Sequence, residues 1–233
     1  MAAEQPPREA AAQPPADRVP GGQLSEGEVV RAALRVAERV GFTGVSMREV
    51  ARELDVTPMA IYYHVQNKQA LLELVADVIL AGIRLPPSDA GTWMERLRLL
   101  HQETNRVLGV YPGIDAMMID LGLTAQGRRL MDANIQILLD AGFDERMALL
   151  AYNVLHSYGV GRVTIEARLR GRRRSLPGAV SGDYPALRRI RDQVPDLRAA
   201  DYRAFGYEAI LLGLDDLLKA ARSHEEGSRS ATP

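Results

Sequence analysis

No cysteine occurs in the 233 residues, which removes disulfides, thiolate metal sites and cysteine nucleophiles together and is compatible with a reducing cytoplasm. The N-terminus lacks an apolar signal-peptide core. The longest hydrophobic stretch, LLELVADVILAGI at 71–83, is short and carries charges, so no segment is expected to span a bilayer. Excess charge is missing too: a net charge of −1 confines any nucleic-acid affinity to a few well-placed cations and predicts weak non-specific binding. No alternating apolar pattern of useful length appears, so the fold class is expected to be all-α. GxSxG, Walker, HExxH and complete Rossmann patterns are absent, and Gly159-Val160-Gly161 sits in a helical pattern rather than after a strand. No enzymatic activity is expected.

What is present is a series of well-marked helix starts. Residues 1–23 are rich in proline, alanine and glycine without apolar periodicity and read as a disordered arm, a plain tail more readily than a groove-contacting one with only Arg8 and Arg18. Ser25 and Glu28 have capping-box spacing, and Val29, Ala33, Val36 and Val40 recur at helical intervals until Gly41. Ser46 and Glu49 repeat the box, with Val50, Ala51 and Leu54 on one face and Asp55 as a residue that tolerates the left-handed conformation. Thr57 followed by Pro58 starts a short helix with Ile61 facing inward, and Asn67 caps the next helix, which begins at Lys68. Three helix starts in so short a stretch have the layout of a helix-turn-helix. The Asn67 helix is expected to run to about Ile83 and stop before Leu85-Pro86-Pro87, the predicted domain boundary. Thr92 with Glu95 opens a helix presenting Trp93, Leu97, Leu100 and Thr104. Further helices are expected at 115–119, 125–141, 144–169 and 201–222. The Arg-rich run 168–174 is best read as cations at a helix C-terminus followed by a solvated loop.

The run IYYHVQNKQALL at 61–72, with GFTGVSMREVA upstream, resembles the DNA-binding domain of the TetR family of transcriptional regulators. GTWMERL, ANIQILLDAGFDERMALLAYNVL and AFGYEAILLGLDDLL are similar, in that order, to the ligand-binding domain of the tetracycline repressors. The resemblance implies a disordered arm at 1–23, a three-helix reader at 24–85, a larger helical effector-binding and dimerisation domain at 90–222, and a disordered tail at 223–233. It also implies a DNA-contacting set of Ser46, Met47, Arg48, Thr57, Pro58, Met59, Ala60, Tyr62, Tyr63, His64 and Lys68. A guanidinium such as that of Arg48 can fork onto a guanine edge, although a solvated surface cation is the plainer alternative. Tyr62, His64 and Lys68 match phosphate-holding positions, Tyr63 is expected to be partly packed, and Met59 and Ala60 could meet thymine methyl groups. Pro58, Met59 and Ala60 depart from the tetracycline repressors, so their operator sequence does not carry over.

For the effector pocket the candidates are Trp93, Leu97, His101, Met117, Met118, Met131, Asn134, Ile135, Tyr152, His156 and Tyr158, although such residues at helical spacing are core more often than ligand-facing. Asp120 stands where the tetracycline repressors place a magnesium-binding histidine, so neither a metal nor a cofactor is assigned. Ala209 and Gly213 in the last helix, and Gly159 and Gly161 in an earlier one, are small enough to let two subunits approach. The expected partners are therefore a palindromic double-stranded operator, a small-molecule effector and a second copy of the chain, in the cytoplasm and without a membrane. An effector-released repressor is the leading expectation; the alternative is an architectural or ligand-independent DNA-binding protein.

Overall fold

The computed structural model describes residues 24–114, 124–169, 184–190 and 198–230. The expected arm at 1–23, the helix at 115–119 with Met117 and Met118, Asp120, and most of the Arg-rich run lie outside the described residues. Every regular element among the described residues is helical, as the missing β alternation implied.

Helix α1 (Glu26–Val40) begins at a complete capping box. The Ser25 hydroxyl accepts the Glu28 N–H at 3.3 Å, and the Glu28 carboxylate accepts the Ser25 N–H at 2.9 Å. Val29, Ala33 and Val36 are buried. Val40, expected on the same face, is 48% exposed, because Phe42 from the following single turn of tighter helix closes that end of the core instead.

Helix α2 (Met47–Leu54) is capped by Ser46, whose hydroxyl accepts the Glu49 N–H at 3.2 Å. The second half of the expected box does not form, since the Glu49 carboxylate takes the Arg52 guanidinium. Asp55 ends the helix at φ 57°, in the left-handed conformation expected of it. Thr57 then caps α3 (Pro58–Tyr62), which drives Ile61 fully into the core. Asn67 caps α4 (Lys68–Ala81), accepting the Ala70 N–H at 2.8 Å.

The second half of the chain packs α5 (Trp93–Leu108), α6 (Ala125–Asp140), α7 (Glu145–Leu169) and α9 (Ala199–Ser230), with the short α8 (Pro185–Ile190) burying no residue. Helix α9 is longer than expected, and the residues read as a tail from 223 continue it through Ser230. Its inward stripe is Tyr207, Leu211, Leu214 and Leu218. Helix α4 has buried residues on more than one face because it packs against α1, α5 and α6. A second junction ties the two halves: the Phe42 N–H donates to the Pro112 carbonyl at 2.8 Å, and the Tyr111 hydroxyl donates to Glu38 at 3.3 Å.

Candidate nucleic-acid interface and ligand cavity

On α2, α3 and the start of α4, capped by Ser46, Thr57 and Asn67, most of the predicted contact residues stand at exposed positions. Arg48 is exposed on the first turn of α2, and among the described residues it has no partner, whereas Arg52 is held by Glu49. Pro58 and Met59 are exposed, Met59 at 65%, beside the half-buried Ala60. Tyr62 is half-exposed and Tyr63 is 82% exposed; among the described residues neither hydroxyl has a partner. The exposure of Tyr63 corrects the expectation that it is partly packed. Lys68 is exposed in the first turn of α4, where its ammonium adds to the positive end of the helix dipole. His64 is half-buried in the turn after α3. Ser46 and Thr57 spend their hydroxyls as caps. Met47 is a correction: it is 7% exposed and belongs to the core, because the first apolar position of α2 points beneath the helix.

Behind this corner a cavity of ≈ 180 Å³ opens between α5, α6 and α7. Of the predicted lining it brings together His101, Met131, Asn134, Tyr152 and His156. Met117 and Met118 lie outside the described residues, and the remaining four have structural work elsewhere. Trp93 meets Phe143 edge-on at 5.3 Å, Leu97 is fully buried with its carbonyl accepting the Tyr207 hydroxyl, and Ile135 packs on the core. The Tyr158 hydroxyl donates to the Tyr202 carbonyl at 2.6 Å, across Gly206, where a Cβ would collide with that ring. The sequence reading missed Leu80, Asn105, Gly127 and Gly159. Gly159, expected to serve a subunit contact, lines this cavity, and a Cβ there would meet nothing within 4 Å.

No Asp, Glu, Lys or Arg stands among the described lining residues. His101 lies flat on Tyr207 with ring centroids 3.9 Å apart, and burial, helped by the nearby Arg203, pushes its pKa down to about 4. His156 stacks on Tyr152 at 5.5 Å, and burial lowers its pKa as well. Both rings are therefore neutral at pH 7. The Asn134 amide donates to the Leu130 carbonyl at 2.7 Å, keeping its oxygen as an acceptor, and Asn105 has no side-chain partner among the described residues. Such a lining suits an uncharged, largely apolar molecule with a few hydrogen-bonding groups.

His101 gives a stability prediction. Its unfolded pKa is about 6.5, so the unfolded chain binds the proton first, and stability falls as pH drops from about 6.5 towards 4. The denaturation midpoint is expected to decrease between pH 7 and pH 5, and His101→Phe, which keeps the stack on Tyr207, should flatten that slope. An unchanged slope in the variant would remove His101 as its cause.

Residues 29–75 match the family model of bacterial regulatory proteins, tetR family, and residues 85–217 match that of the tetracyclin repressor-like C-terminal domain. The chain belongs to the TetR family. It is thereby a DNA-binding transcriptional regulator, from a family of regulators rather than enzymes. An HTH-type transcriptional regulator of Saccharopolyspora erythraea is 28% identical over 173 residues, 70% of this chain and 73% of that relative. The class D tetracycline repressor protein of Escherichia coli is 26% identical over 201 residues, 84% of this chain and 88% of its own. The TetR family protein ActR of Streptomyces coelicolor, solved with actinorhodin, superposes with a TM-score of 0.71 at 23% identity, covering 84% of this chain and 99% of that one. No helix among the described residues is long and apolar enough to cross a membrane.

Proposed function

We propose that this TetR-family chain is a homodimeric cytoplasmic repressor that occupies a palindromic operator and leaves it when an uncharged small molecule fills the cavity. One observation carries the reading: α4 begins in the reading corner at Lys68 and ends with Leu80 in the cavity wall, so one rigid element touches both sites. Binding of DNA and of effector then draw on one shared equilibrium and oppose each other. That relatives include tetracycline repressors and an actinorhodin-bound regulator supports an effector of this general kind. Dimerisation is supported by large apolar side chains that stay exposed on α7 and α9, Leu150, Val154, Phe205 and Leu212 among them, although the two helices pack together.

The test is a titration of purified protein with palindromic duplexes from the DNA flanking its own gene, against random duplex, at several salt concentrations. Preference for one palindrome is expected; no preference at any salt concentration overturns the reading. Lys68→Ala should weaken all duplexes alike and reduce the salt slope by about 1, as loss of one phosphate contact does. Arg48→Ala should instead cost about 1–3 kcal/mol and relax selectivity at one base pair. Equal losses on all sequences would make Arg48 a phosphate contact.

A further inference from the structure

The end of α4 and the start of α6 are fastened by a closed ring of polar contacts that neither the reading corner nor the cavity requires. The Asp77 carboxylate on α4 accepts the Gln126 N–H, in the first turn of α6, at 2.7 Å. Gln126 in turn accepts the Arg129 Nε–H at 2.6 Å. Arg129 reaches back and donates to the carbonyls of Leu80 at 3.2 Å and Ile83 at 2.9 Å, in and just beyond the last turn of α4. Each charge suits the helix end it meets, an anion at the N-terminus of α6 and a cation at the C-terminus of α4. Arg129 makes no ion pair among the described residues, so its charge is committed to those carbonyls.

The ring also borders the cavity. Leu80 gives its carbonyl to Arg129 and its side chain to the cavity wall, and Gly127, Leu130 and Met131 of α6 line the same space. We propose that Asp77 and Arg129 are positioning residues that hold α4 and α6 as one lever, so that filling the cavity and turning the reading corner become a single movement. This rests on the effector-release reading above. Without the ring, a molecule pushing on α6 loses these hydrogen bonds to the end of α4, and Leu80 can yield by itself there.

The experiment needs no known effector. Because Gly159 lines the cavity with open space at its Cβ, Gly159→Phe places a tethered phenyl group inside it. Because the chain has no cysteine, Gln66→Cys beside the reading corner and the exposed Gln102→Cys on α5 accept one spin label each. Labelled subunits are diluted into unlabelled ones, and the distance between the labels is measured by pulsed dipolar spectroscopy. With the ring intact, Gly159→Phe is expected to shift the distance by about 2 Å, the scale of helix shifts in switching proteins. Arg129→Met or Asp77→Leu should abolish the shift, Asp77→Asn should retain it because an amide oxygen still accepts the Gln126 N–H, and melting curves report folding throughout. Should Arg129→Met not fold, Arg129→Lys, which cannot span both carbonyls, is expected to halve the shift. The same shift in every folded variant overturns the clamp and leaves effector release standing. No shift even with the ring intact overturns both.

Discussion

Leu150→Asp combined with Leu212→Asp is expected to leave the protein monomeric and to lower its affinity for a palindromic duplex by about 10²–10⁴-fold. The two leucines are 54% and 52% exposed, so neither holds the subunit's own core together. They belong to an apolar surface that includes Leu149 and Val154 on α7 and Phe205, 79% exposed, on α9. Along α9 the outward positions Phe205, Ala209, Leu212 and Gly213 alternate with the inward Tyr207, Leu211 and Leu214, so the helix has two apolar faces and the subunit covers one. In the proposed dimer a second copy related by a two-fold axis would present the same surface and cover the other. Carboxylates placed there would have to lose their water without gaining a partner. A monomer reads one half-site and forfeits the effective concentration that links the two. Sedimentation measures the mass, fluorescence anisotropy the affinity, and a melting curve should hardly move. A double variant that stays dimeric places the subunit contact elsewhere.

The sequence made visible what is local. Caps at Ser25, Thr57, Asn67 and Thr92 needed only neighbours a few residues away, and each forms as its spacing predicts. The exposed Met59 and Tyr62 were legible because α3 is short and buries only Ile61, and Arg48 and Lys68 because each is a cation in the first turn after a cap. Met47 was misjudged because the phase of α2 is set by the three-helix core, not by the cap before it. The cavity was legible only in part. His101 looks solitary until Tyr207 from α9 stacks on it, and Leu80 and Gly159 give no sign of a cavity until three other helices surround the space they border. The Asp77–Gln126–Arg129 ring had no signal at all, because its members meet only through the crossing of α4 and α6.

Phe42→Ala should have the largest effect on stability, about 3–5 kcal/mol, as expected for removing a fully buried aromatic side chain. Phe42 lies in a single turn between α1 and α2, a place where a small core could repack, but its surroundings are fixed from both sides. Gly41 before it holds φ at +81°, and a Cβ there would sit 3.0 Å from the Pro112 carbonyl oxygen, so the backbone approaches the second half of the molecule as closely as glycine allows. The Phe42 N–H then donates to that same carbonyl. Alanine keeps this N–H, so Phe42→Ala removes packing while leaving the hydrogen bond in place. The denaturant midpoint should fall with little change in slope, meaning that the same surface unfolds from a weaker start. Gly41→Ala keeps the phenyl ring but strains the left-handed turn, and it should separate the two halves at smaller cost to the core. A loss below about 1 kcal/mol for Phe42→Ala would mean that the turn collapses onto the cavity left behind, and that the junction with Pro112 is softer than its geometry implies.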